Sequence, residues 1–288
     1  MEMNYTERGY LKDKYRIFYL TDCPKHEVPF HYHDFMKIFV LIKGNAGYSI
    51  EGKQYELHPY DVVLINAGEI HRPVIYDKDY YERVIFYLSR DFFEQYRKYE
   101  LDECFGQSRR HHSHVIRYRP EKMSFLPEKL MALTDQSCRG MYAEKLLQET
   151  RVLEFLILLN HSIAQEESRF MEPSSRNRLI LEILGYINRN TAGELSVDRI
   201  ADAVHLNRSY IMHKFKEETG YTIMEYVMEK RLFMANQYIG EGMPMTEVCY
   251  RSGFQNYSSF YRAYVDKYGC SPRKYHEKNR GRGVELVE

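Results

Sequence analysis

The sequence contains no long hydrophobic run and no closely spaced cysteine pair. Its longest apolar stretch, near Phe155–Leu159, is far shorter than the ~20 residues that a helix needs to cross a bilayer, so a membrane-spanning helix is not expected. The five cysteines, at positions 23, 104, 138, 249 and 270, include no C-x-x-C pair, and residues 1–10 are too polar for a secretory signal. These absences predict a soluble cytoplasmic protein with reduced thiols.

Tryptophan and net charge are also absent. The 41 Lys and Arg balance 41 Asp and Glu, and basic residues only slightly outnumber acidic ones over residues 174–282. Charge alone therefore does not identify a nucleic-acid binder. Tyrosine, by contrast, occurs 27 times, which suits either a pocket for a polar ligand or a compositional bias. The 288 residues suffice for two domains, each with its own core.

Short β-prone runs, separated by glycine and proline, fill the region from Tyr15 to Ser89. Regular short strands with such punctuation are typical of an all-β barrel or sandwich. We predict a small antiparallel β-barrel over residues 1–125. The strand candidates are Lys37–Ile42, Tyr48–Ile50, Gln54–Leu57, Asp61–Ile65 and Arg83–Leu88.

Leucine and isoleucine then recur at helical spacing over residues 126–168, and the second of two predicted helices runs from about Ala143 to Ala164. Apolar positions nearly surround this second helix, so the barrel or another subunit must cover it. A helix pair from each chain would form a homodimer interface; alternatively, the helices only cap their own barrel. Residues 169–176, with Pro173 and two serines, are the expected linker.

The C-terminal region, residues 177–280, contains one helical unit written twice, at Leu195–Tyr221 and Met245–Tyr275. A helix over Leu179–Asn190 precedes the first unit. The two units align position by position, with one extra residue in the second turn. The aligned pairs are Ile200 with Val248, Leu206 with Phe254, Ile211 with Phe260, Phe215 with Tyr264, and Gly220 with Gly269. One such pattern fits a generic helical hairpin, whereas two capped copies favour a pair of helix-turn-helix units.

Each unit has a polar face on its second helix. In the first unit Asn207 is the expected N-cap, and Ile211 and Phe215 point into the core. In the second, Asn256 is the cap and Gly253 permits the turn. The outward side chains are the predicted DNA contacts: Ser209, Met212, His213 and Lys216, then Tyr257, Ser258, Tyr261 and Arg262.

A long helix over Ile223–Ile239 joins the units and would fix their separation. Two helices that read successive major grooves of one duplex must lie about 34 Å apart. Among the outward side chains, Arg262 is suited to a bidentate contact with guanine. The region is therefore predicted to bind double-stranded DNA in two adjacent major grooves.

The same region resembles the AraC/XylS family of transcription regulators over about residues 177–278. The departures from the family pattern are Cys249 for alanine, Tyr264 and Val265 for Phe-Lys, and His276 for arginine. The resemblance implies a regulator, more often an activator than a repressor, with RNA polymerase as a further partner that this role allows. The matching residues are Tyr226, Arg231, Leu232, Ala235, Val248, Gly253, Phe254, Ser259, Phe260, Arg262, Gly269, Ser271, Pro272 and Tyr275.

Two stretches of the N-terminal region are similar to the two motifs of cupin barrels: His31, His33, Lys37 and Gly44 in the first, and Asp61 and Gly68–His71 in the second. Metal-binding cupins place two His, a Glu and a third His around one ion, but Lys37 stands at the Glu position here. An ammonium has no lone pair and repels a divalent cation, so we expect neither metal nor cofactor. Alternatively, these histidines bind nothing and only form hydrogen bonds with backbone groups at the mouth of the barrel.

The resemblance instead favours a pocket for a small-molecule effector, often a sugar in this family. A cationic pocket would also suit an acidic sugar or a phosphate. Arg83 is included because Tyr81–Val84 resembles a strand that lines the pocket in related barrels. The candidate ligand residues are His31, His33, Lys37, Lys43, His71 and Arg83.

A second histidine group, with His112 and His114 two residues apart, raises the question of another metal site. No carboxylate or cysteine lies beside it at ligand spacing, which disfavours that interpretation.

The sequence therefore predicts a ligand-responsive, sequence-specific transcription regulator without enzymatic activity, whose genes are carbohydrate-related. One alternative is a metal-dependent cupin enzyme with a helical appendage. Another is a ligand-independent DNA binder whose vestigial barrel serves only in dimerisation.

Overall fold

The computed structural model describes residues 11, 13–22, 27–76, 80–122, 125–135 and 140–275. The polar start of the chain, Cys23, Cys138 and His276 lie outside these ranges. The chain divides into two compact units, Met1–Arg176 and Asn177–Glu288. In the described ranges, no helix is both long and apolar enough to cross a membrane.

The first unit contains two antiparallel sheets. Six strands form one sheet in the order β1-β7-β2-β5-β8-β9, and four form the other in the order β10-β4-β3-β6. The strands are β1 (Tyr15–Leu20), β2 (Met36–Lys43), β3 (Ala46–Ile50), β4 (Lys53–Leu57), β5 (Val62–Ile65), β6 (His71–Ile75), β7 (Glu82–Leu88), β8 (Val115–Tyr118), β9 (Ser168–Phe170) and β10 (Ser175–Arg176).

The larger sheet is buried on both faces. Along β2, Ile38 and Val40 join a core cluster with the helices, whereas Phe39 and Leu41 join a second cluster with Tyr48 of the smaller sheet. Successive side chains of a strand point to opposite faces, so this strand is apolar almost throughout. The cluster between the sheets is the barrel interior, which confirms the predicted barrel.

Four helices pack outside the larger sheet: α1 (Arg90–Gln95), α2 (Glu103–Arg110), α3 (Phe125–Thr134) and α4 (Glu144–Ala164). The bounds of α4 confirm the predicted second helix, while α1 and α2 were not expected from the sequence. On α4, Phe155 stacks on Phe86 of β7 with ring centroids 4.7 Å apart. Leu146 and Ile157 of the same helix remain 64% and 54% exposed, so the barrel covers only part of its apolar surface.

The segment expected as a linker, residues 169–176, largely belongs to the sheets. Strand β9 pairs with β8, and β10 pairs with β4 through Ser175–Gln54 and Arg176–Lys53. Ser113 Oγ also donates a hydrogen bond to the Met171 carbonyl oxygen. The linker prediction failed because backbone groups pair with an open strand edge whatever their side chains are. The polar composition of residues 169–176 therefore gave no sign of the pairing.

The second unit consists of helices α5 (Arg178–Asn190), α6 (Val197–Ala203), α7 (Arg208–Thr219), α8 (Ile223–Gly240), α9 (Met245–Arg251) and α10 (Tyr257–Tyr268). The predicted caps are present: the Oδ1 atoms of Asn207 and Asn256 accept hydrogen bonds from the amides of Ser209 and Ser259, both at 2.8 Å. Gly220 and Gly269 end α7 and α10 in the left-handed conformation.

The duplication also extends to the turns. Leu206 N donates to Ala201 O at 3.0 Å, and Phe254 N donates to Cys249 O at 3.1 Å. The residue before each donor has positive φ, 55° at His205 and 88° at Gly253. Leu206 is nevertheless 41% exposed whereas Phe254 is 5% exposed, so the two aligned residues share their backbone geometry and differ in burial.

Helix α8 supports both copies. Near its start, Tyr226 packs edge-on against Phe215 of α7, with centroids 5.8 Å apart. Near its end, Leu232, Ala235 and Ile239 share a core cluster with residues of α9 and α10. The capping box of Thr222 and Glu225 fixes its first turn. One continuous helix therefore connects the two helix-turn-helix units.

Candidate functional site

Three histidines converge in the barrel. His31 lies in the chain before β2 and makes a backbone bridge with His71, the first residue of β6. Their ring centroids are 4.4 Å apart, and the ring of His33 lies 4.6 Å from that of His71. One potential ligand atom from each imidazole lies within 4.8 Å of the others. The fold thus brings together residues that are 40 positions apart in the sequence.

Backbone carbonyls orient two of these rings. The Nδ1 atom of His31 lies 2.9 Å from Pro29 O, and that of His71 lies 2.8 Å from Glu69 O. A carbonyl oxygen only accepts, so each Nδ1 carries the proton, and Nε2 of the neutral ring keeps its lone pair. The backbone therefore sets two imidazoles as acceptors toward the cluster. Among the described residues, no group meets either ring nitrogen of the buried His33 with hydrogen-bond distance and angle.

Lys37 completes the cluster from β2. Its side chain is buried, and its Nζ lies 3.5 Å from His71 Nε2. Since this Nε2 accepts, the ammonium donates. The same Nζ lies 5.7 Å and 6.0 Å from the ring centroids of Tyr48 and Tyr87, within the range of cation–π attraction.

Burial lowers the pKa of both His33 and His71 well below the usual value for histidine, because a charged imidazole loses its hydration there. The charge of the Lys37 ammonium, and that of His31 when it is protonated, lower these pKa values further. Both imidazoles are therefore neutral at neutral pH.

The structure places the other two candidate ligand residues elsewhere. Arg83 pairs with Leu41 in the sheet, four residues along β7 from Tyr87, or about 13 Å. Its Nη1 contacts the Asp22 carboxylate at 2.6 Å and donates to Tyr81 O at 3.0 Å. Lys43 is exposed at the end of β2, with Nζ 4.6 Å from the Tyr80 ring centroid. Neither residue joins the histidine cluster.

The second histidine group has a different arrangement. His114 is buried, with Nδ1 3.1 Å from Tyr55 Oη and Nε2 3.3 Å from the Glu69 carboxylate. His112 is exposed, and its carbonyl accepts a hydrogen bond from Lys53. Within the described ranges, only the His31, His33 and His71 group brings three potential metal ligands together. The spacing along the sequence had concealed Glu69, because a loop after β5 brings it to His114.

The outer face of α7 carries the first set of predicted DNA contacts. Ser209, Met212, His213 and Lys216 are all exposed, opposite the fully buried Ile211 and Phe215. Tyr210 is exposed beside them at 52%, a residue that the sequence analysis did not single out. Its position next to Ser209 in the sequence could have indicated this exposure.

On α10, the second set lines one open depression of ≈ 500 Å³. Tyr257, Ser258, Tyr261 and Arg262 form its wall together with Val265 and Asp266. Tyr257 and Tyr261 are 42% and 44% exposed. The acidic Asp266 was not anticipated, and it lies one helical turn from Arg262. This face therefore combines aromatic, hydroxyl and charged groups of both signs.

Two family models match the chain: an AraC-like ligand binding domain over residues 15–156 and a helix-turn-helix domain over residues 200–278. The chain belongs to the AraC family of transcription regulators. It is a DNA-binding transcription regulator with a ligand-binding domain, and not an enzyme. The family assignment from the sequence is confirmed.

Relatives of similar length support this membership. The chain is 24% identical over 263 residues to the uncharacterized HTH-type transcriptional regulator YdiP of Escherichia coli (strain K12), covering 90% of this chain and 84% of that protein. It is 24% identical over 257 residues to the HTH-type transcriptional activator RhaS of Shigella sonnei (strain Ss046), covering 87% and 88%. ToxT from Vibrio cholerae O395 aligns with 94% of this chain and 99% of its own, at 14% identity and a TM-score of 0.37, which supports no detailed correspondence.

Proposed function

We propose that this AraC-family member is an effector-responsive activator that reads two adjacent major grooves of its operator. The observation that carries the proposal is the duplicated polar face: α7 and α10 each present outward side chains, and α8 packs against both helix-turn-helix units. A rigid connection allows α7 and α10 to bind DNA together, because a flexible connection would lose conformational entropy on binding. RhaS, a relative over most of the chain, is named as an activator, which supports activation, with RNA polymerase as a partner.

Base reading is assigned to the outward residues of both helices. Arg262 is the residue for guanine, since its guanidinium can donate two parallel hydrogen bonds to one base. Lys216 is assigned to phosphate, where an ammonium serves as a point charge. The full set is Ser209, Met212, His213 and Lys216 on α7, with Tyr257, Ser258, Tyr261 and Arg262 on α10.

The effector site is assigned to the cluster of His31, His33, Lys37 and His71. Acceptor nitrogens and one donor ammonium converge there among aromatic rings, which is the lining expected for a polar small molecule. A sugar or an acidic sugar fits these groups, because its hydroxyls donate to imidazole and its oxygens accept from lysine. Arg83 and Lys43 contribute charge farther along the barrel.

Dimerisation is assigned to the exposed apolar surface of α3 and α4. Leu146 and Ile157 are eleven residues apart on α4, three helical turns, and so lie on one face. Met131 of α3 adds a side chain that is 73% exposed. A second copy of this chain would remove this surface from water.

Selection of bound duplexes from a random library, with the full chain, tests the function. We expect an enriched site with two recognition elements whose centres lie 10–10.5 base pairs apart, one helical turn. Repeating the selection with Arg262→Ala should relax preference in one element only. Absence of an enriched sequence, or a single short element unaffected by this substitution, would contradict the proposal.

Thermal unfolding with a panel of sugars and sugar acids tests the effector. A ligand present at 100 times its Kd should stabilise the protein by about 2.7 kcal/mol. His33→Gln should abolish the shift, whereas His161→Gln, at an exposed position on α4, should retain it. An operator affinity unchanged by every compound that binds would favour the ligand-independent alternative.

A further inference from the structure

The barrel belongs to a fold in which a metal ion is commonly held by histidines, and the cluster meets part of that requirement. The Nδ1 protons of His31 and His71 are held by carbonyls, so their Nε2 lone pairs are available. Such carbonyl contacts are the usual support of metal-binding histidines. The three imidazoles also converge within 4.8 Å.

Lys37 does not fit a metal ion. Its Nζ lies 3.5 Å from His71 Nε2, the direction from which a metal would be bound. A divalent cation at that nitrogen would face an ammonium within a few ångströms, in surroundings that screen charge poorly. The side chain is 4% exposed and enters from the middle of the sheet, so solvent does not separate the two charges.

The groups around the Lys37 ammonium are instead ones that stabilise a positive charge. An imidazole lone pair and the faces of Tyr48 and Tyr87 surround it. Each of these groups attracts positive charge, and none needs a metal to satisfy it. The sheet holds the position, since Lys37 is paired with Ile65 on one side and Tyr87 on the other.

We propose that the Lys37 ammonium takes the place of a divalent metal ion in the three-histidine cluster, so that a protein-borne cation is the centre of this site. A single residue then determines that the cluster excludes metals and offers N–H donors to an oxygen of the ligand. Replacing this residue by a glutamate should create a His₃Glu metal site, because a carboxylate supplies the missing anionic ligand.

Cobalt binding to the purified full-length protein tests this inference, because bound Co²⁺ has visible absorption that reports its ligands. We expect no cluster-bound Co²⁺ in the unaltered protein. Lys37→Glu should bind one equivalent at least ~100-fold more tightly, since repulsion becomes attraction. Lys37→Met, which removes only the charge, should be intermediate. Adding His33→Gln to Lys37→Glu should remove the gain and show that the ion is at the cluster.

Two results would overturn the inference. One is a full equivalent of Co²⁺ bound by the unaltered protein with the affinity of Lys37→Glu. The other is that the folded Lys37→Glu and Lys37→Met variants bind no more tightly than the unaltered protein. Should Lys37→Glu not fold, as circular dichroism would reveal, Lys37→Met decides by the same comparison. The measurement involves neither DNA nor effector, so its failure leaves the proposed function intact.

Discussion

Arg231 on α8 donates a hydrogen bond from Nε to the carbonyl oxygen of Thr191, 3.1 Å away at the end of α5. Its Nη2 donates another to Gly193 O at 2.8 Å. The carbonyls at a helix C-terminus lack partners within the helix and attract positive charge. This side chain therefore ties the connecting helix to the helix that opens the second unit.

Substituting Arg231 by methionine should destabilise the second unit by about 1–3 kcal/mol, because two carbonyls lose a charged donor. Urea unfolding of the full chain, followed by circular dichroism, measures the change. Arg178→Met is the matched control: this arginine is exposed and, among the described residues, pairs with Glu182 one turn away, so its loss should cost under ~0.5 kcal/mol. Equal effects of the two variants would contradict the role of Arg231.

Gly253→Ala should be far more harmful than Gly242→Ala. Both glycines have positive φ, 88° and 81°, so both substitutions incur backbone strain of about 1 kcal/mol. A methyl at Gly253 would also overlap Thr191 O and approach Arg231 Nε, whereas one at Gly242 meets nothing within 4 Å. We expect Gly253→Ala to cost at least ~2 kcal/mol more in thermal unfolding. A difference within experimental error would show that the turn relaxes freely.

Arg262→Ala and Lys216→Ala should separate base reading from phosphate binding. Loss of Arg262 should weaken operator binding by about 1–3 kcal/mol and leave binding to unrelated duplex nearly unchanged. Loss of Lys216 should weaken both equally and reduce the slope of log affinity against log salt by about one. Fluorescence anisotropy over a salt series measures both quantities. Equal losses on both duplexes for Arg262 would contradict its assignment.

Acid should destabilise the first unit through His33 and His71. Burial, followed by the nearby positive charges, lowers the pKa of both in the fold, so the unfolded chain binds more protons below pH ~6.5. Stability should therefore fall with decreasing pH by up to about 1.4 kcal/mol per pH unit for each histidine. When the free energy of unfolding is measured with urea at several pH values between 7.5 and 5.5, its slope against pH should be smaller for His33→Gln than for the unaltered protein. An unchanged slope would mean that this imidazole is not held neutral.

Leu146→Glu and Ile157→Glu should convert a dimer into monomers. Burying a carboxylate without a partner costs several kcal/mol, enough to weaken self-association at least ~100-fold. Light scattering after size-exclusion chromatography reports the mass. Tyr76→Glu makes the same kind of change at a 53% exposed residue that follows β6 of the smaller sheet, whereas α3 and α4 pack on the larger one, so it should have no effect. A protein that is monomeric before substitution would contradict the assignment.

Local signals were sufficient for the second unit. Asn207, Asn256 and the glycines at 220 and 269 define helix ends through interactions within a few residues, so the sequence predicted α7 and α10 closely. The exposure of Leu206 could not be inferred in this way. Its burial depends on which distant side chains pack over the turn, and no signal within a few residues reports that.

The first unit depended more on distant contacts. The resemblance to the two cupin motifs indicated the cluster of His31, His33, His71 and Lys37. It did not reveal that Arg83 contacts Asp22, or that Glu69 reaches His114. Helices α1 and α2 escaped notice because each is only a few turns long, too short for a periodic signal.

The pairing of β10 with β4 places the end of the first unit in the same sheet as His71. His71 begins β6 at one edge of that sheet, and Ser175–Arg176, the last residues of the first unit, form the opposite edge. Only β3 and β4 separate the two edges, joined by backbone hydrogen bonds. If a bound ligand displaces His71, three successive strand pairs, β6–β3, β3–β4 and β4–β10, connect that displacement to the last residues of the first unit.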